Sequence, residues 1–224
     1  GYNSIRSKMI AGERITNCSK CYEAEDNNIV SARILETVEW ANRLHLTDIS
    51  SLSKLTTPSY YEIRPSNKCN LQCRMCSPIN SHLIHDEYVE LGLETEQIYE
   101  YMDFDIIDFS NLQKLYVSGG EPLINKSFFA FLRKCIENEQ TDFELLVNTN
   151  ATTLSSAFKQ LIAQFSDFQF IFSIDAYKDI NYYIRWPTIW DTTIANIDYL
   201  VSMKHHVTFN VTVSIYNVSS LNDI

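Results

Sequence analysis

No feature of the chain constrains it more than three cysteines, Cys69, Cys73 and Cys76, in Asn67-Lys68-Cys69-Asn70-Leu71-Gln72-Cys73-Arg74-Met75-Cys76. They are spaced CxxxCxxC just after a short strand-like run, with no fourth cysteine nearby. A closed structural metal site wants four protein ligands. Three thiolates on one tight loop can instead hold a four-iron cluster and leave one iron open to bind something else.

The remaining cysteines are Cys18, Cys21 and Cys135. Clustered close spacings do not read as a secreted disulfide framework; they favour metal ligation in a reducing compartment, so a cytoplasmic location is expected. The 224 residues are 45% hydrophobic and 21% charged with only five glycines, enough for a sizeable core. No stretch approaches the roughly 20 apolar residues that span a bilayer, and no signal peptide opens the chain, so no membrane partner is expected. A net charge of −10 argues against nucleic acid as a partner. The chain starts at Gly1 and stops at Ile224 soon after a strand, which reads as a fragment.

Five runs read as strands, being short and rich in branched and aromatic residues: 60–65, 114–117, 143–147, 168–174 and 207–215. Helix-like segments lie between them at Ser127–Glu137, Leu154–Phe165 and Thr192–Lys204. Strand alternating with helix implies an α/β fold with a parallel sheet. The polar candidates fall at the carboxyl ends of these strands, where parallel α/β folds build their sites. The cysteine loop follows the first run, Gly119-Gly120-Glu121-Pro122 the second and Asn150 the third; Ser173 and Asp175 end the fourth, and Asn217 follows the fifth. Adjacent glycines let backbone approach a ligand without Cβ clashes, Pro122 stiffens the exit, and Glu121 offers an acceptor for an ammonium group.

CxxxCxxC at the end of a first strand, followed by Val117-Ser118-Gly119-Gly120-Glu121-Pro122-Leu123, resembles the radical S-adenosylmethionine (AdoMet) enzymes. Met75 stands where that family usually carries an aromatic residue. The resemblance implies a partial (βα)6 TIM-like barrel with parallel strands, its sixth strand beyond Ile224 if the chain is cut. It also implies a [4Fe–4S] cluster on Cys69, Cys73 and Cys76, AdoMet on the open iron, and Gly119, Gly120 and Glu121 at the AdoMet amino group. The reduced cluster cleaves AdoMet in that family to a 5′-deoxyadenosyl radical, which takes hydrogen from a substrate. Asn150, Ser173, Asp175 and Asn217 would contact the ribose or methionine carboxylate; as residue types they equally suit turns and helix caps. The alternative function is a non-catalytic iron–sulfur or zinc-binding electron-transfer module, although ferredoxins use four cysteines and the 69/73/76 triplet is not a zinc pairing.

Cys18 and Cys21 form a second metal-like pair, a CxxC that on its own suits a redox dithiol, half a zinc site or half an iron–sulfur site. With Gly12-Glu13 before them and Glu25 and Ser31-Ala32-Arg33 after, they look like the end of a twitch extension, a shortened relative of the SPASM domain that binds an auxiliary cluster. The expected division is therefore an N-terminal cysteine-containing extension and linker over 1–56 and a radical AdoMet core over 57–224. Twitch and SPASM relatives commonly modify peptides or proteins, though other members act on small molecules, which makes a peptide or protein the leading substrate class, with an electron donor such as flavodoxin or ferredoxin. Cys135 reads as a small core hydrophobe on a helix face with Phe128 and Leu132. Arg185 follows the fourth strand and could hold a carboxylate, but reads more readily as a surface arginine stacked on Trp186; His82, His85, His205 and His206 read as surface or capping residues, and Glu87 to Glu100 as a solvated helix face.

Overall fold

The computed structural model describes residues 2–45, 57–93, 95, 103–203 and 205–223. Residues 46–56, Lys204 and the end of the Glu87–Glu100 run lie outside these. The chain divides into two compact units, Gly1–Thr57 and Pro58–Ile224. The first unit carries α1 (Tyr2–Ile10), a 3₁₀ turn (Thr16–Cys18), α2 (Ser19–Asp26) and α3 (Ala32–Arg43). Ser31 caps α3 by accepting from the Ile34 amide at 3.3 Å.

In chain order the second unit runs β1 (Tyr60–Ile63), β2 (Gln72–Cys73), α4 (His82–Glu90), β3 (Lys114–Val117), α5 (Lys126–Glu137), β4 (Glu144–Thr149) and α6 (Ser156–Ile162). It continues with β5 (Phe168–Ser173), α7 (Lys178–Ile184), β6 (Arg185–Trp186), α8 (Trp190–Ser202) and β7 (His206–Asn210). Strands β1-β3-β4-β5-β7 form one sheet in that order. All four pairings are parallel, with Leu115 opposite Leu145, Val147 opposite Phe170 and Phe172 opposite Phe209. Parallel neighbours cannot be joined by hairpins, so helices cross between them. The result is the expected α/β partial barrel, an open five-stranded sheet.

Side chains alternate across each strand, and this sorts core from site. Leu115, Val117, Leu145, Val147, Phe168, Phe170 and Phe172 are buried on one face, against Phe128, Phe131, Leu132 and Cys135 of α5, Phe158 and Ile162 of α6, and Ile197 and Leu200 of α8. Tyr116, Asn148 and Ser173 take the opposite parity. Asn125 caps α5 through the Phe128 amide at 2.9 Å, and Ser155 caps α6 through the Phe158 amide at 3.1 Å. Phe170 stacks between Phe168 and Phe172, with ring centroids 4.6 and 5.7 Å away. Phe170→Ala is expected to cost about 3–5 kcal/mol, read as a lower urea midpoint at unchanged slope.

The end of the last expected strand differs from expectation for a physical reason. β7 stops at Asn210 rather than continuing to 215. The Thr212 amide donates to Asp175 Oδ1 at 2.8 Å and the Thr212 carbonyl accepts from Asn217 Nδ2 at 3.0 Å, which takes away the groups a longer ladder needs. The short α7 and the antiparallel pair β2–β6 carry no periodic signal in the sequence. Among the described residues no helix is long and apolar enough to cross a membrane.

Candidate functional site

The cysteine loop leaves the carboxyl end of β1 and is held at many points. The Cys76 amide donates to the Cys73 carbonyl at 2.9 Å, Ser81 Oγ to the Leu71 carbonyl at 3.3 Å, and Asn67 Nδ2 to the Pro78 carbonyl at 3.2 Å. The Cys69 amide donates to His82 Nδ1 at 3.1 Å. His82 is therefore no mere surface residue. It braces the loop from the start of α4, and nothing in its sequence surroundings signals that.

The loop's three thiols share one cavity of about 320 Å³ at the carboxyl rim of the sheet, with Gly119, Gly120, Glu121, Asn150 and Ser173. Tyr116, Asn148 and Asn210, on the side of the strands away from the apolar core, complete its wall with Thr149 and Thr212. Cys73 is buried and the other two are partly buried. Burial, reinforced by neighbouring negative charge, pushes the Cys69 and Cys73 thiols up to about 11 and raises Cys76 as well. Three thiolates can be gathered here only with a strong cationic centre to compensate them. Among the described residues no three His, Cys, Asp or Glu side chains converge tightly enough to hold a single ion. Three cysteines lining one cavity would suit a cluster held by three thiolates.

The glycine turn fits against this loop. Gly119 and Gly120 have φ of +79° and +56°, and a Cβ on Gly120 would lie 2.3 Å from the Lys68 carbonyl oxygen. The Glu121 amide donates to that same carbonyl at 2.8 Å. The Glu121 side chain turns inward, where its carboxylate accepts from Thr149 Oγ1 at 2.6 Å, the Asn150 amide at 2.8 Å and the Leu123 amide at 2.9 Å. Burial raises its pKa while these three donors pull it back. Asn150 Nδ2 donates to Asn70 Oδ1 at 2.9 Å, and Asn70 Nδ2 to Thr152 Oγ1 at 2.8 Å. Glu121 and Asn150 thus join the glycine turn, the end of β4 and the cysteine loop in one network.

The other sequence candidates divide. Ser173 lines the cavity and donates to Asn148 Oδ1 at 3.1 Å. Asp175 and Asn217 are fully buried and are not part of the cavity wall. Asn217 Nδ2 donates to the Asp175 carbonyl at 2.8 Å and its Oδ1 accepts from the Ser214 amide at 2.7 Å. Protein groups engage both, which gives them the staple role that their residue types also allow. Arg185 corrects the surface reading: its side chain is 12% exposed, lines the cavity and is ion-paired to Asp175 at 2.6 Å. The sequence hint was its place after the fourth strand, where it could hold a carboxylate. Cys135 is fully buried, its thiol pushed up to about 12, as a core hydrophobe should be.

In the first unit, Cys18 and Cys21 stand one helical turn apart and are partly buried. The residues that frame them interact: Glu25 accepts from Ser31 Oγ at 2.5 Å and from Arg33 Nε and Nη2 at 3.1 and 2.5 Å. Tyr22 lies under Arg14 and Arg33.

Comparison with known proteins agrees with the core. Residues 63–223 match the family model described as the Radical SAM superfamily. The GTP 3′,8-cyclase of Campylobacter lari is 26% identical over 152 residues, 67% of this chain and 45% of that protein. The GTP 3′,8-cyclase of Helicobacter pylori is 26% identical over 102 residues, 46% and 30% respectively. The chain spans less than half the length of these relatives. Among solved structures, Streptococcus suis SuiB bound to precursor peptide SuiA superposes with a TM-score of 0.52 at 18% identity, covering 92% of this chain and 47% of that one. Native anSMEcpe with bound AdoMet gives 0.56 at 17% identity, covering 74% and 47%. These two share the fold. With a family match over most of its length and a parallel sheet that carries the cysteine loop and glycine turn on one rim, the chain belongs to the radical SAM superfamily, enzymes that work with a [4Fe–4S] cluster and AdoMet.

Proposed function

We propose that this chain is the core of a radical AdoMet enzyme that takes hydrogen from a peptide or protein substrate. In this reading Cys69, Cys73 and Cys76 hold the cluster, Gly119, Gly120 and Glu121 orient the methionine end of AdoMet, and Asn150 and Ser173 face its polar groups. The carrying observation is the shared cavity, in which the Gly119-Gly120-Glu121 turn is pressed against the cysteine loop through the Lys68 carbonyl. When bound, the reduced cluster and AdoMet supply a 5′-deoxyadenosyl radical for hydrogen abstraction.

The chain's own residues supply position and enclosure. Glycine at 119 and 120 leaves backbone close to the cavity with no Cβ in the way, and the buried Glu121 carboxylate fixes the turn to the end of β4. Asp175 and Asn217 hold the segment after β7 in place behind the site. An electron donor such as flavodoxin or ferredoxin completes the reading. The clustered cysteine spacings support a reducing, cytoplasmic setting for this chemistry.

The twitch-like assignment of the first unit rests on Cys18 and Cys21 beside the Glu25–Ser31–Arg33 network, and an auxiliary cluster there would require further ligands. This assignment supports a peptide or protein substrate. A second reading, chemistry on a purine nucleotide, is favoured by the relatives named GTP 3′,8-cyclase. Against it, the two cations lining the cavity are each engaged with a carboxylate, Arg64 with Glu62 at 3.0 Å and Arg185 with Asp175 at 2.6 Å. Two paired guanidinium groups are little positive charge for a triphosphate.

The test is anaerobic reconstitution with iron and sulfide, then electron paramagnetic resonance of the dithionite-reduced protein. A [4Fe–4S] signal that changes on adding AdoMet, with 5′-deoxyadenosine formed, is the expected result. A signal indifferent to AdoMet sinks the reading. Faster 5′-deoxyadenosine formation when GTP is added would move the substrate to the nucleotide class.

A further inference from the structure

We infer that Arg185, held by Asp175, is a positioning residue that places positive charge beside Cys73 and raises the reduction potential of the cluster. The inference rests on the cluster reading above. Four observations carry it. The antiparallel pairing of β2 and β6 sets Arg185 directly opposite Cys73, and the Arg74 amide donates to the Ile184 carbonyl at 2.8 Å beside it. Arg185 Nη1 points at Cys73 Sγ across 3.9 Å. Its Nε stands 2.6 Å from Asp175 Oδ2, and among the described residues neither atom has another partner. Asp175 is itself immobilised, its Oδ1 by the Thr212 amide at 2.8 Å and its own amide by Asn181 Oδ1 at 3.1 Å.

A guanidinium offers several donors in one rigid plane, so it can be gripped by a carboxylate through Nε and still present Nη1 to a sulfur. One-electron reduction by a low-potential donor adds a negative charge at the cluster. A cation fixed against a ligating sulfur stabilises that added charge, and in a half-buried site the effect is screened less than in water. Arg185 touches neither AdoMet nor substrate in this argument. It acts through Cys73.

The experiment is a potentiometric titration of the reconstituted full chain, followed by electron paramagnetic resonance, with iron and sulfide counted in every protein. Arg185→Gln is expected to make reduction about tenfold harder, a fall of about 59 mV for one electron. Arg185→Lys should keep most of the wild-type potential. Asp175→Asn, which removes the opposing carboxylate, should move it upward. An unchanged potential in Arg185→Gln, or an equal fall in Arg185→Lys, overturns the inference. If Arg185→Gln does not assemble a cluster, Asp175→Asn decides: a flat or lowered potential overturns it. A wild-type cluster that ignores AdoMet would defeat the cluster reading itself, whereas a responsive wild type with unmoved variants defeats only the role of Arg185.

Discussion

Cys73→Ala protein, reconstituted anaerobically, is expected to lose both the reduced [4Fe–4S] signal and AdoMet cleavage. The loop presents three sulfurs to the cavity, and Cys73 is the most enclosed of them. Removing one leaves two thiolates for a cluster that needs three from the protein, so the fall should exceed the roughly 10–100-fold that loss of an outer partner costs a metal site. Cleavage should reach background, measured as 5′-deoxyadenosine by chromatography. Cys135→Ala is the matched control. That thiol sits fully buried in the apolar face of α5, so the variant should lose some stability and keep both signals. Cleavage by Cys73→Ala at wild-type rate would refute the assignment.

The next largest effect is expected at Gly120. An alanine there combines a φ of +56° with a Cβ 2.3 Å from the Lys68 carbonyl oxygen, 2.8 Å from its carbon and 2.9 Å from the Asn67 carbon. All three atoms are backbone of the cysteine loop, so the clash cannot be relieved by rotating a side chain. Displacing the loop by about 1 Å should lower AdoMet cleavage about 10²-fold. Gly92→Ala isolates the backbone cost, because Gly92 has φ of +66° with nothing within 4 Å of the added Cβ. It should lose about 1–2 kcal/mol of stability and no cleavage activity. Equal activity losses in the two variants would show that conformational strain, not contact with the loop, governs the site.

Much of this was readable from residue types. The cysteine spacing, the glycine turn, Asn150 and Ser173 were found because chemistry-bearing residues sit where strands of alternating parity end, and parity is a local property. The buried face of α5, with Phe128, Leu132 and Cys135, was legible from its helical spacing. What stayed hidden was long-range. The pairing of Cys73 with Arg185 is a two-residue match with no period, and the bond between the Cys69 amide and His82 depends on where α4 begins. Asp175 and Asn217 have the same residue types whether they face a ligand or staple a turn, and only the partners in space separate those roles.

The pairing of β2 with β6 also bears on how the protein is made. Arg74 Nε reaches the Tyr183 carbonyl, and Arg185 reaches Cys73, across separations of 109 and 112 residues. A ribosome adding about 5–20 residues per second takes roughly 6–22 s to supply that second half after the thiols emerge. Through that interval the nascent loop lacks the wall that will enclose it, and its cysteines are open to oxidants and stray metals. The enclosed site is therefore expected to form only once the second half is present, and the yield of loaded protein should follow the supply of iron and sulfide more closely than the rate of synthesis.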